Sequence, residues 1–116
     1  MGIVVRSVQN PTMQSAYNWG NIKITGNNII NYRQAVFISN LPHKKDGSLA
    51  NAENIVISDN RIEYMWNGNN EAAIHFVGSQ YQQCEVSNNT ITGGKFGVWP
   101  GAGDTDWLLV EGNVLN

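Results

Sequence analysis

Charge is scarce in this chain of 116 residues: Asp, Glu, Lys and Arg make up 14% of it and the formal net charge is -2. The only basic run is the short "HKK" at His43 to Lys45, so the electrostatic footprint of a nucleic-acid surface is missing and no nucleic-acid partner is expected. Proline occurs three times and cysteine once. Cys84 therefore cannot close an internal disulfide, and its place in an apolar pattern predicts a small buried side chain rather than a nucleophile. No run of 18 apolar residues is present, and no charged-then-apolar leader precedes "MGIVVRS", so no membrane partner is expected. The length fits one domain, taken as residues 1–116.

Glycine and asparagine are abundant, which suits a turn-rich all-β chain better than a helical one. The segments "PTMQSAYNWG" and "LPHKKDGSLANAEN" carry loop punctuation, and "NGNN" at Asn67 to Asn70 is a further turn signal.

Four phrases repeat: "NIKITGNNII", "NIVISDNRIE", "QCEVSNNTIT" and "WLLVEGNVLN". Aligned on Asn27, Asn60, Asn89 and Asn113, they recur at spacings of 33, 29 and 24 residues. Three positions upstream stand Ile24, Ile57, Val86 and Val110, and two further back Ile22, Ile55, Cys84 and Leu108. Two positions downstream are Ile29, Ile62, Ile91 and Leu115. This alternation is the period of a strand with one buried face. At its end the asparagine tolerates left-handed backbone angles and offers an amide to the main chain, so it is expected to turn the corner and bond its counterparts in a ladder. A second strand is expected in "GIVVRS", "QAVFIS", "AAIHFVG" and "FGVWPG", through Ile3 and Val5, Val36 and Ile38, Ile74 and Phe76, and Val98.

Periods of this length mark solenoids, whose repeats bury their apolar faces only by stacking. The N-I-x-I-x-x-N-x-I phrase followed by a Gly-Val or Gly-Ile strand resembles the right-handed parallel β-helix superfamily. That group includes pectate-lyase-like enzymes, polygalacturonan-cleaving hydrolases, alginate epimerases and bacteriophage tailspike depolymerases. The resemblance implies an all-β, right-handed, single-stranded parallel β-helix of about three to four coils. Members usually have more coils and an N-terminal cap, so a segment of a longer stack, or a subunit leaning on partners, is expected.

Outward slots hold the chemistry. On one strand they are Lys23, Val56, Glu85 and Leu109; on the other, Val4, Phe37, His75 and Trp99. Phe37, His75 and Trp99 in file are a candidate glycan platform, joined by the loop aromatics Trp66 and Trp107. Apolar Val4, Val56 and Leu109 instead favour a protein interface, such as that of a homotrimer.

Hydrolysis of a glycoside needs two carboxyls about 5 Å or about 6.5 to 9.5 Å apart. No strand-borne pair occupies adjacent rungs: Glu85 has Val56 and Leu109 as neighbours, Glu63 has Ile30 and Thr92, and Asp59 has Gly26 and Asn88. The candidate acids are therefore Asp104, Asp106 and Glu71 in loops, with Asp46 and Glu53 as further loop acids. Arg61 beside Asp59 is the sole strand-borne base for a lyase, and more simply a surface ion pair. The sequon "NNT" at Asn88 to Thr90 is explained by the repeat, whose corner asparagine it contains. No metal or cofactor is called for.

By resemblance the expected function is recognition or cleavage of bacterial surface polysaccharide, tailspike-like, outside the cell or on a virion surface. The alternatives are a non-catalytic trimerisation segment of a spike or fibre, and a lyase or epimerase of the pectate and alginate type.

Overall fold

The computed structural model describes residues 2–7, 18–30, 34–41, 50–63, 72–93, 97–101 and 103–116. Among them the chain is all-β, with no helix. It runs through β1 (Ile3–Arg6), β2 (Trp19–Thr25) and β3 (Asn28–Ile30), then β4 (Val36–Asn40), β5 (Ala52–Ser58) and β6 (Arg61–Glu63). β7 (Ile74–Gly78), β8 (Tyr81–Gln82), β9 (Cys84–Ser87) and β10 (Thr90–Thr92) follow. The described part ends with β11 (Val98–Trp99), β12 (Leu108–Glu111) and β13 (Val114–Leu115).

These strands form three sheets with every pairing parallel. Their orders are β1-β4-β7-β11, β2-β5-β9-β12 and β3-β6-β10-β13, and β8 adds to β5. Each neighbour in a sheet is thus a later repeat of the same phrase, an arrangement consistent with a parallel β-solenoid. Register follows the apolar columns: Ile24 pairs with Ile57, Ile57 with Val86, and Val86 with Val110. Ile29, Ile62, Ile91 and Leu115 make a second column, and Val36 and Ile74 are flanked by Ile3 and Val98 in a third.

Because side chains alternate along a strand, one face of each sheet converges on a shared core. Val36, Ile38, Ile55, Ile57, Ile62, Ile74, Phe76 and Val86 are fully buried there. Burying each such side chain contributes about 1.5 to 3 kcal/mol. Cys84 lies in this core, in register with Leu108.

The asparagines join the repeats. Asn27 gives its main-chain N–H and its Nδ2 to Oδ1 of Asn60, both at 3.0 Å. Asn60 does the same to Asn89 at 3.0 and 2.9 Å, and Asn89 to Asn113 at 3.0 and 2.9 Å. The Nδ2 groups of Asn60, Asn89 and Asn113 also reach the carbonyls of Ile24, Ile57 and Val86 at 2.9 to 3.0 Å. In this way buried amides are satisfied without water, as burial requires.

The bend itself falls one residue earlier than the sequence suggests. Left-handed φ angles occur at Gly26 (71°), Asp59 (57°), Asn88 (55°) and Gly112 (67°), and not at the ladder asparagines. The division is physical: the preceding residue turns the chain, which frees the asparagine side chain to aim along the stack. Glycine makes that turn at no steric cost, while Asp and Asn tolerate it.

Two further polar features accompany the ladder. Asn21, Asn54 and Gln83 share left-handed φ angles of 54°, 56° and 53°, and Asn54 Nδ2 donates to Asn21 Oδ1 at 2.8 Å. At a third position Asn40 is fully buried, giving Nδ2 to the carbonyls of Ala50 and Ser79 and accepting from Trp19 Nε1 at 3.0 Å. Gly78 pairs with Asn40, has φ of 92°, and a Cβ there would lie 1.9 Å from the Asn40 carbonyl oxygen. No other residue fits that approach.

Replacing Asn89 by Ala removes the acceptor for two buried donors and should cost about 3 kcal/mol. Asn113→Ala, at a half-buried position where water can replace the lost acceptor, should cost about 1 kcal/mol. Urea unfolding of the two variants measures this; equal costs would mean that the ladder is not the buried polar support described.

Candidate functional site

Parallel pairing puts Val4, Phe37, His75 and Trp99 side by side across β1, β4, β7 and β11. Their strand neighbours Val36, Ile38, Ile74 and Phe76 point into the core, so alternation turns this row outward. Phe37 meets His75 edge to face, with centroids 5.8 Å apart and planes at 84°. His75 then stacks on Trp99 at 4.9 Å with planes 10° apart. Behind the row Gln34, itself buried, places Nε2 3.2 Å from Nδ1 of His75.

Past the ends of β7 and β11 lies a cleft of about 260 Å³, lined by Ser79, Gln80, Tyr81, Pro100, Asp104 and Trp107 and by Gly78 and Gly103. Of the residues next to the aromatic row in the chain, Pro100, which follows Trp99, lines the cleft. Gln80 has a left-handed φ of 64°, and Gly103 one of 94°. Trp107 stacks on Tyr81 at 4.8 Å and meets Phe76 at 5.2 Å. It is therefore anchored against the core, and its Nε1 donates to the Asp104 carbonyl at 2.8 Å.

The "DTD" segment is held as a turn by the Asp106 N–H, which donates to Oδ1 of Asp104 at 3.1 Å. Asp104 lines the cleft; Asp106 does not. Asp104 and Trp107 are thus brought together, whereas Phe37, His75 and Trp99 do not line the cleft. Glu71 and Trp66 lie outside the described residues, as do His43 and Asp46. Arg61 pairs with Glu63 at 3.7 Å on an exposed face, in place of the partner Asp59 suggested by sequence adjacency. Among the described residues no three His, Cys, Asp or Glu side chains gather as a metal site. In register, Glu85 is flanked by Val56 and Leu109, and Glu63 by Ile30 and Thr92, so neither has a carboxylate neighbour on its strand.

Tyr81 is the residue that sequence reasoning undervalued. It looks like a loop aromatic in "SQYQQC", yet it is buried, stacks with Trp107, and its hydroxyl donates to the Val77 carbonyl. Gly78 at a position where only glycine fits, just upstream, is the one sequence signal for a tight turn that folds it inward.

No protein-family model, curated protein or solved structure matches the chain.

Burial pushes the Tyr81 hydroxyl well above its ordinary pKa of 10.0, and it raises the Cys84 thiol above 9.0. Both groups are neutral when protonated, so the folded chain keeps its protons longer than the unfolded chain. Below pH 9 they add no pH dependence; above it stability falls as pH rises, first through Cys84 and then through Tyr81. Urea midpoints between pH 8 and 11 should therefore fall less steeply in Tyr81→Phe than in the parent. A parallel fall in both would remove Tyr81 from the account.

Proposed function

We propose that the chain is a segment of a right-handed, single-stranded parallel β-helix of about three to four coils whose outer surface recognises a carbohydrate. Parallel crossover connections are right-handed in nearly all proteins, which supports the hand. The ligand class is a bacterial surface polysaccharide, met outside the cell or on a virion surface, as in the tailspike proteins that the repeat resembles. One observation carries the reading: Phe37, His75 and Trp99 are held in one register as an outward row of rings, on a chain whose cleft contains Asp104 and Trp107. Flat rings with a polar group at one end match the alternating apolar and hydroxylated faces of a sugar.

Recognition is favoured over cleavage. Glycoside hydrolysis requires a second carboxyl at fixed distance, and of the described acids only Asp104 lines the cleft. A lyase or epimerase is favoured less still, since among the described residues neither Arg61 nor Lys23 lines the cleft with Asp104.

A second reading draws on Val4 and Leu109, which are 43% and 49% exposed on outward slots. Apolar groups there suit a lateral interface, so a trimerisation segment remains the competing proposal.

Isothermal titration against a panel of capsular and O-antigen glycans, combined with light scattering, separates the two. Binding of one glycan without new reducing ends, weakened about tenfold in Trp99→Ala, is the expected result, since the loss of one stacked ring is worth about 1.4 kcal/mol. If Trp99→Ala keeps its glycan affinity while losing assembly, the row is an interface and the carbohydrate reading falls.

A further inference from the structure

The cleft past β7 and β11 carries charge of one sign. Among the described residues that line it, Asp104 is the sole carboxylic acid, and no Lys, Arg or His is present. Its carboxylate is exposed: Oδ1 accepts the Asp106 N–H at 3.1 Å, and among the described residues neither oxygen has a cationic partner. Asp106, two residues on, is exposed as well and adds a second negative charge nearby.

The two rings of the cleft have their polar ends engaged elsewhere. Tyr81 is buried and its hydroxyl donates to the Val77 carbonyl, while Trp107 Nε1 donates to the main-chain carbonyl of Asp104. Trp107 is half-buried and stacks on Tyr81 with planes 26° apart. What the rings give the cleft is therefore fixed, apolar surface. Ser79 and Gln80 add a hydroxyl and an amide, each able to donate and to accept.

An aromatic surface beside an acceptor-only carboxylate favours positive charge, because the ring face attracts a cation and the carboxylate accepts its N–H groups. A ligand with its own carboxylate meets a like charge there and no cation to bridge the two. Size narrows the choice further. About 260 Å³ lies just below the roughly 300 to 1,000 Å³ of sites that enclose drug-sized molecules, which leaves room for one ring rather than a chain of them.

We infer that the cleft takes one amine-bearing sugar residue, with its ammonium on Asp104 and its apolar face on Trp107, and discriminates against sugar acids. This rests on the carbohydrate reading and names the ligand within it.

Isothermal titration at about pH 6, where an amine of the α-amino kind is protonated, reads the selectivity. The probes are short glucosamine oligomers in free-amine and N-acetylated forms, galacturonate oligomers of equal length, and an aliphatic diamine. The free-amine form is expected to bind about fivefold or more tightly than the N-acetylated form, with no detectable binding of the uronate. In about 0.5 M salt the ratio should shrink, as screening weakens an exposed charge pair. Asp104→Asn keeps an acceptor for the Asp106 N–H, so its urea midpoint should match the parent while the ratio falls to about one. Trp99→Ala should leave the ratio unchanged, since Trp99 does not line the cleft. Equal affinity for the amine and N-acetyl forms, tighter binding of the uronate, or an unchanged ratio in Asp104→Asn overturns the inference. A diamine that binds as tightly as the amino sugar also overturns it, because the ring is then not recognised. If the glucosamine oligomers fail while another glycan binds, the inference falls alone; if no glycan binds, the carbohydrate reading falls with it.

Discussion

Four amide side chains run through the molecule, and the middle two, Asn60 and Asn89, lie where water has little access and must find both a donor and an acceptor in the protein. Asn60 and Asn89 are buried as completely as the isoleucines beside them. An unpaired amide in such a place costs several kcal/mol, so the repeats can stack only with their corners aligned. Once aligned, Ile24, Ile57, Val86 and Val110 fall into one column by arithmetic, because each stands three residues before its asparagine. A slip of one residue would turn every inward side chain outward and break the ladder at the same time. Polar and apolar demands therefore select the same register.

That register also builds the outer surface. The pairing that puts Val36 against Ile74 inside puts Phe37 against His75 outside, and the same step brings Trp99 over His75. The row of rings is a consequence of core stacking and needs no separate ordering of side chains. Preorganisation of this kind lowers the entropic cost of contact for any flat ligand. The cleft has another origin: Gly78 approaches the Asn40 carbonyl so closely that the chain turns sharply after β7, and Tyr81 folds back onto Phe76. Asn40 stabilises the turn from within by donating to Ser79.

The ladder spacing was legible because three requirements, a bend, an amide and a flanking apolar pair, coincide at each corner. Parallel sheets followed from that periodicity. The exact seat of the bend was not legible, since Gly26, Asp59, Asn88 and Gly112 share no side chain, only a backbone conformation. Asn40 was hidden for a different reason: in "ISNLP" it reads as a loop signal, and its burial depends on Ala50 and Ser79, which lie far along the chain. Trp107 read as a loop aromatic because it follows "GDTD", whereas its packing against Tyr81 and Phe76 is set by the fold around it. Local signals survived where the repeat enforced them. They failed where a single long-range contact decided the outcome.

In-register stacking also constrains what chemistry such a surface can hold. Strand rungs are about 4.8 Å apart, so acids in one outward column would face each other at close range and repel. The outward slots of this chain avoid that: Glu85 lies between Val56 and Leu109, and Glu63 between Ile30 and Thr92. Any carboxylate pair close enough for acid and base catalysis must then come from segments that leave the rungs, where the register no longer sets the distance. The turn holding Asp104 is one such segment, and there the neighbouring Asp106 N–H occupies an oxygen of the Asp104 carboxylate. A carboxylate engaged in its own turn is well placed to accept hydrogen bonds from hydroxyl groups and poorly placed to share a proton with a second acid, which is why the function proposed is recognition rather than cleavage.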